Sequence, residues 1–169
     1  FIKTQTIFKN GYTFNKKTKK KIKAVIPVHV SGNAVNLEPL LILCKKRNIR
    51  VIEDAAEALG TFYLKGKLKN KHAGTIGDLG CLSFNGNKII TSGGGGMIIT
   101  NNENYYNYLK DITNYVDKSS SGERTRETIS AFNSVIGLCS LKRFSKNIKI
   151  RNDIANLYNN SLEIKDTSA

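Results

Sequence analysis

Residues 24–54 constrain the fold of this chain more than any other segment. The run AVIPVHV at 24–30 is short, apolar and rich in β-branched residues, which is typical of a buried parallel strand. Residues 37–47 then carry apolar side chains at helical spacing, and a second β-branched run follows at 49–53. Strand, helix and strand in this order predict a βαβ unit, in which ligands bind at the carboxyl ends of the strands.

The rest of the chain continues the alternation of strands and helices. We predict further strands at 80–84 and 97–100, a helix from Asn102, and a long helical region that begins near Phe132. An Asn-Gly pair within residues 1–23 predicts a hairpin ahead of the first core strand. With 169 residues and 40% hydrophobic content the chain can bury one sizeable core, so the fold class is α/β.

The net charge of +14 at pH 7 bears on the choice of partner, because a basic surface attracts nucleic acid and anionic lipid. The lysines gather at 16–23 and 65–71 with few aromatic residues interleaved to stack on bases. We therefore expect solvated loops and no nucleic-acid partner, with a basic nucleic-acid-binding module as the open alternative. No apolar window of about 18 residues and no signal peptide is visible, which predicts a cytoplasmic protein without a membrane partner.

Asp54 and Lys88 are the residues that the sequence places best for chemistry. Asp54 stands where the strand at 49–53 ends, at the edge where parallel sheets bind ligands. Lys88 lies in the turn NGNKIITSGGGG, whose small residues let a ligand approach the backbone closely. A nucleophilic lysine must be neutral and needs a desolvated or positively biased pocket. From the residues alone, an ordinary lysine in a surface turn is the favoured interpretation of Lys88.

Other motifs give weaker signals. The glycine run at 93–96 lacks the order of a P-loop, and Ser83 lacks the GxSxG context of a hydrolase nucleophile. Glu53 and Asp54 are adjacent, so their side chains point to opposite sides of a strand and form no catalytic pair. Neither histidine has a partner at metal-ligand spacing, which predicts no metal site. For His29, a hydrogen-bonded structural role is favoured over one in lining a ligand site.

Three segments carry a resemblance to a known family, namely VIPVHVSGNAVNLEPLLILC, VIEDAAEALG and HAGTIGDLGCLSFNGNKIITSGGGGMIITNN. They closely resemble the DegT/DnrJ/EryC1 family of pyridoxal-phosphate-dependent sugar aminotransferases, and most of all the branch that acts on keto sugars on the route to legionaminic acid. The resemblance implies the central part of the type I aminotransferase large domain, truncated at both ends. That part is a mixed, mainly parallel sheet flanked by helices.

The same resemblance implies three parts of the chain. Residues 1–117 correspond to part of the large, cofactor-binding domain. Residues 118–130 form a loop that departs from the Tyr-Asn-Tyr-Arg-like segment usual in the family. Residues 131–169 correspond to a long helix leading toward a small carboxyl-terminal domain that this chain is expected not to include.

Four residues take roles by this resemblance. Lys88 matches the lysine that forms the Schiff base with pyridoxal phosphate. Asp54 matches the carboxylate that keeps the pyridine nitrogen of the cofactor protonated. The protonated ring can then act as an electron sink. Glu57 falls where the family often has glutamine beside the cofactor ring. Ser83 matches a hydroxyl that binds the cofactor phosphate.

The implied reaction is transfer of an amino group from an amino acid, with glutamate as the expected donor, to a 4-keto-6-deoxy nucleotide sugar. The implied assembly is a homodimer with shared sites. One alternative is a pyridoxamine-dependent sugar dehydratase, which Lys88 disfavours because those enzymes have histidine at the Schiff-base position. The other alternative is a catalytically inert, truncated product of the same fold, since the Gly-Thr or Gly-Ser phosphate-binding turn of the family lies before this chain begins.

Overall fold

The computed structural model describes residues 1–113 and 128–162. Within these ranges the chain alternates between short strands and helices, and a single 3-10 turn lies at Val30–Gly32. The strands are β1 (Thr6–Lys9), β2 (Tyr12–Asn15), β3 (Lys21–Ile22), β4 (Ala24–Val25), β5 (Arg50–Asp54), β6 (Leu79–Ser83) and β7 (Gly96–Ile99). The helices are α1 (Glu38–Lys46), α2 (Glu103–Thr113), α3 (Ala131–Lys142) and α4 (Phe144–Ser161).

The main sheet has the strand order β4, β5, β6, β7. Strands β4, β5 and β6 are parallel, whereas β7 pairs antiparallel with β6. The sheet is therefore mixed and mainly parallel, and the predicted α/β fold class is confirmed. Asp54 pairs with Cys81 at the last position of β5, so the carboxyl ends of β5 and β6 lie at one edge of the sheet.

The first core strand is much shorter than predicted. The prediction of a buried strand at 24–30 is wrong, because β4 ends at Val25 and Ile26 and Val28 are 61% and 46% exposed. Pro27 has no N–H to donate to the ladder and restricts the residue before it. Pairing resumes only at an isolated bridge between Val28 and Asp54, after which the chain turns at Val30–Gly32.

The core that supports the sheet lies between α1 and β5. Cys44, Ile49 and Val51 are buried there, and Val25 and Leu40 pack against them. Burial raises the pKa of the Cys44 thiol, which favours its neutral form as a small apolar group. This cluster fixes β5, and with it the position of Asp54 at the strand end.

The predicted amino-terminal hairpin is confirmed. Strands β1 and β2 are joined by Asn10 and Gly11, which both have positive φ (51° and 76°). Such a pair is the preferred two-residue connection because its twist matches that of the strands. Strand β3 pairs antiparallel with β2, which completes a separate sheet of three strands.

The helical region at the end of the chain is two helices. Helix α3 ends and α4 begins at Arg143, where the structure departs from one continuous helix. Ser130 caps α3 by accepting from the Asn133 N–H at 3.1 Å. Most of the predicted altered loop at 118–130, and the tail at 163–169, lie outside the described residues. No helix in the described part of the chain has the length and apolarity that crossing a bilayer requires.

Candidate active site

Glu53 organises the sheet edge from inside the core. It is fully buried, and its Oε1 accepts from the Ile76 and Gly77 N–H groups at 2.6 Å each. Its Oε2 accepts from the Gly74 N–H at 2.8 Å and from His29 Nε2 at 2.9 Å. Four donors on one carboxylate tie the turn at 74–77, and His29 in the segment after β4, to β5.

His29 has the structural role that the sequence favoured. Its ring is fully buried, and the Val35 N–H donates to Nδ1 at 3.0 Å. Because Nδ1 accepts, Nε2 carries the proton and donates to Glu53. Both ring nitrogens are therefore occupied within the protein, and His29 does not line a ligand site.

Asp54 points away from this network, as the alternation of side chains along a strand requires. Its backbone continues the ladder, since the His29 N–H donates to the Asp54 carbonyl at 3.0 Å. Its Oδ1 accepts from the Ala56 N–H at 3.1 Å, which orients the carboxylate at the start of the loop after β5. Asp54 is only partly buried. The carboxylate thus stands at the ligand-binding edge of the sheet.

Lys88 lies in the loop after β6, and hydrogen bonds fix both ends of this loop. The Lys88 N–H donates to the Asn85 carbonyl at 3.0 Å, which closes a tight turn. Further along, the Thr91 N–H donates to Ser140 Oγ at 3.1 Å. Helix α3 therefore holds the loop that presents Lys88.

The Lys88 side chain bends back toward the end of β5 and pairs with Glu57. The distance from Lys88 Nζ to Glu57 Oε1 is 3.4 Å, and the lysine side chain is only 17% exposed. The other carboxylate oxygen of Glu57 accepts from the Ser31 N–H at 2.8 Å. This backbone hydrogen bond, followed by the hydrogen bond and charge of Lys88, lowers the pKa of Glu57. Glu57 is a carboxylate at neutral pH that links two loops.

Ser83 is the last residue of β6, and its hydroxyl begins the turn that leads to Lys88. Ser83 Oγ accepts from the Asn85 N–H at 3.3 Å. Ser83 is partly exposed, so its hydroxyl proton can be donated to a ligand at the same edge. The structure therefore brings Ser83 and Lys88 to one end of the sheet, together with Asp54 at the end of the neighbouring strand β5 and Glu57 in the loop after it.

A groove of about 1260 Å³ opens elsewhere in the described part of the molecule. It lies among β6, β7, α2 and α3, and Leu82, Met97, Tyr106 and Ile129 contribute apolar lining. None of the four predicted site residues lines it. The groove is also lined by Cys81 and Lys110. We assign the candidate chemistry to the edge of the sheet rather than to this groove, because Lys88 and Glu57 form an ion pair at the edge, beside Asp54 and Ser83.

Sequence reasoning missed two features of this region. The sequence did not predict that Glu53 accepts hydrogen bonds from backbone N–H groups. An acidic residue inside a buried strand does indicate that hydrogen-bond donors or a cation must lie nearby. The ion pair between Lys88 and Glu57 joins residues 31 positions apart, and no local pattern indicates it. Both features depend on how loops fold over the strand ends.

The donor set at this edge fits pyridoxal phosphate. A lysine amine can join the aldehyde carbon, a carboxylate can bind the protonated ring nitrogen, and a hydroxyl can donate to a phosphate oxygen. Lys88, Asp54 and Ser83 supply these three groups at the ends of neighbouring strands. Among the described residues, no cluster of three or more His, Cys, Asp and Glu side chains is arranged to hold a metal ion.

Known proteins share both the sequence and the fold of this chain. A GDP-perosamine synthase of Vibrio cholerae is 36% identical over 154 residues, which are 87% of this chain and 40% of that protein. The crystal structure of a DegT DnrJ EryC1 StrS aminotransferase from Brucella abortus superposes with a TM-score of 0.76 at 24% identity, covering 88% of this chain and 40% of the other. Helicobacter pylori PseC, an aminotransferase involved in the biosynthesis of pseudoaminic acid, gives 0.75 at 24% identity, with coverage of 85% and 39%.

The family model agrees with these matches. The chain spans about two fifths of the length of the relatives described above. The sequence model of the DegT/DnrJ/EryC1/StrS aminotransferase family matches residues 3–168, nearly the whole chain. Members of this family are pyridoxal-phosphate-dependent and act on nucleotide sugars. The resemblance carried by the three sequence segments is thereby confirmed at the level of the family, and the chain belongs to the DegT/DnrJ/EryC1/StrS aminotransferase family.

Proposed function

We propose that the chain carries the cofactor lysine and the ring-nitrogen carboxylate of an aminotransferase that moves an amino group from an amino acid to a 4-keto-6-deoxy nucleotide sugar. Glutamate is the expected donor. Membership of the family supports the reaction class. The observation that carries the proposal is the approach of Lys88 Nζ to within 3.4 Å of Glu57, three residues beyond Asp54 at the end of β5.

Each residue has a defined task in this proposal. Bound pyridoxal phosphate would supply an electron sink. Lys88 would hold the cofactor covalently through Nζ and, once released by the donor, carry the proton between substrate carbon and cofactor. Asp54 would keep the ring nitrogen protonated, because a carboxylate stabilises a nearby cation. Ser83 would donate its hydroxyl proton to the phosphate.

Glu57 would lie beside the ring. Its hydrogen bond from the Ser31 N–H holds one carboxylate oxygen in place, so Glu57 can keep its position after Lys88 leaves it for the cofactor. A carboxylate also orients a neighbouring ammonium group. Glu57 is thus proposed as a positioning residue for the Lys88 side chain.

The finer assignment rests on sequence resemblance. The segment SFNGNKIITSGGGG and the segments before it resemble the branch on the legionaminic acid route, which we propose as the pathway. The relatedness to a protein named GDP-perosamine synthase supports a nucleotide-linked sugar as the amino acceptor. A cytoplasmic homodimer is part of the proposal by the same resemblance. A dehydratase is disfavoured because lysine, not histidine, stands at position 88.

Borohydride reduction tests the proposal. The protein is mixed with pyridoxal phosphate, reduced, digested and mapped by mass spectrometry. We expect the cofactor mass on Lys88 at low cofactor concentration, since an ordered loop and a nearby carboxylate position its amine. The exposed Lys67 and Lys142 serve as internal references for unspecific labelling. Trapping on another lysine, or labelling of Lys88 no greater than that of the references, would contradict the proposal.

A further inference from the structure

The amino-terminal sheet of β1, β2 and β3 carries an unusual concentration of positive charge. Residues 1–37 contain eight lysines and no acidic residue, and all eight lysines are exposed. They are Lys3, Lys9, Lys16, Lys17, Lys19, Lys20, Lys21 and Lys23. Lysines are almost never buried without partners, so this surface is suited to contact with solvent or with an anionic partner.

The strand register sorts the hairpin into two faces. Thr6 and Thr13 are buried and face α1, where Thr13 Oγ1 donates to the Arg47 carbonyl at 2.6 Å. The opposite face carries the pair Lys9 and Tyr12, together with Phe14 and its two partners, Ile7 and Lys21. We call this set of five residues the outer hairpin face.

Aromatic rings and ammonium groups are interleaved on the outer hairpin face. Tyr12 is 43% exposed, and Lys21 Nζ lies 3.2 Å from the centre of its ring. Phe14 lies between Ile7 and Lys21 in the register and is partly exposed. Along the sequence the lysine runs have few aromatic neighbours. The strand register supplies them, because it brings Tyr12 and Phe14 beside lysines that are distant in sequence.

The neighbouring surface is also basic. Asn48 Nδ2 donates to the Gly11 carbonyl at 2.8 Å, which attaches the hairpin to the end of α1. That end of α1 carries Lys45 and Lys46, both exposed. The basic region lies near the amino end of β5, whereas Asp54 stands at its carboxyl end. The two regions are separate, so this inference stands independently of the proposed enzymatic function.

We propose that the outer hairpin face binds single-stranded nucleic acid. The lysines would contact successive phosphates, with Lys21 leaving the Tyr12 ring for one of them. Tyr12 and the partly exposed Phe14 would then stack on bases, which completes the combination that single-strand binding requires. A membrane surface fits less well, because the exposed apolar residues Ile7 and Phe8 lie on opposite faces of β1, and the tips of the hairpin carry Asn10 and Gly11 or lysines. An acidic protein would use the lysines but not the flat aromatic face.

Fluorescence anisotropy with a short labelled oligothymidylate tests this inference. The dissociation constant is measured over a series of salt concentrations for the protein and for two quadruple variants of equal charge change. One variant replaces Lys9 and Lys21 of the outer hairpin face, and Lys17 and Lys20 of the adjoining connection between β2 and β3, with Gln. The control variant replaces Lys65, Lys67, Lys69 and Lys71 with Gln. Each lost phosphate contact on a single strand lowers the salt slope by about 0.7, so the hairpin variant should lose up to ~2.8 from the slope. The control should lose much less.

A Tyr12→Leu variant tests stacking with the charge unchanged and gives a second result if the quadruple variant fails to fold. We expect about tenfold weaker binding, within the range found for removal of one stacking ring. No salt-dependent binding, or equal losses in the hairpin and control variants, would overturn the proposal. Binding to anionic phospholipid vesicles but not to the oligothymidylate would also overturn it and identify a lipid surface instead.

Discussion

The sharpest structural prediction concerns Glu53→Gln. In the wild-type protein the two oxygens of Glu53 accept four hydrogen bonds, two on each. Glutamine keeps one oxygen for Ile76 and Gly77, but its NH₂ group would face two further donors, His29 Nε2 and the Gly74 N–H. His29 cannot escape by changing its tautomer, because the Val35 N–H already donates to its other nitrogen.

The magnitude follows from the number of bonds lost. Two hydrogen bonds to a charged acceptor disappear, each worth about 1.5–3 kcal/mol, and two buried donors lose their acceptor. We therefore expect the free energy of unfolding to fall by about 3–5 kcal/mol, a large part of the ~5–15 kcal/mol typical of a folded domain. The assay is urea denaturation followed by circular dichroism, with the midpoint and the slope fitted separately.

Glu57→Gln is the matched control for this experiment. It makes the same chemical change at a carboxylate that is 46% exposed and has water as a substitute partner. We expect a much smaller effect than that of Glu53→Gln, because water can replace the partners that Glu57 loses. If Glu53→Gln cost no more than Glu57→Gln, the network around Glu53 would not be the anchor of the sheet edge, and the reasoning would be refuted.

Two further predictions use the same region. Gly80→Ala should lower the midpoint of urea unfolding strongly, because a Cβ at position 80 would overlap the Gly74 carbonyl. At Gly86 a Cβ would meet open space, so the free energy of unfolding of Gly86→Ala should lie within about 0.5 kcal/mol of the wild-type value. The lowered pKa of Glu57 means that its interactions stabilise the fold above the ordinary carboxyl pKa and are lost as the pH falls through the lower folded pKa. Carbon-13 NMR titration of the Glu57 carboxyl should therefore show a midpoint below that of a model peptide. In Lys88→Gln this midpoint should move back toward the ordinary value. An unchanged midpoint in that variant would contradict the ion pair.

Part of the fold could be predicted because it depends on local patterns. The helical spacing of Leu37, Leu40 and Cys44 marked α1, and the Asn-Gly pair marked the hairpin. The prediction for 24–30 is wrong because Pro27 has no N–H to donate to the ladder, which ends the strand despite the apolar character of the run. The direction of β7 could not be derived, since no local signal tells a strand whether it pairs parallel or antiparallel.

The site was predictable to a similar extent. Strand alternation separates Glu53 from Asp54, but only the packing of the turn at 74–77 decides which of the two is buried. The position of Asp54 at the ligand-binding edge followed from the βαβ pattern. The contact between Glu57 and Lys88 could not be predicted from residues 31 apart, because it depends on the path of two loops over the sheet edge.

Lys88 and Asp54 are proposed to bind the two ends of one cofactor ring. Nitrogen-15 NMR of ring-labelled pyridoxal phosphate, fixed to Lys88 by borohydride, measures this directly. We predict a protonated ring nitrogen in the wild-type protein at neutral pH, and loss of that proton in Asp54→Asn. An unprotonated nitrogen in the wild type, or a proton that persists in Asp54→Asn, would contradict the assignment.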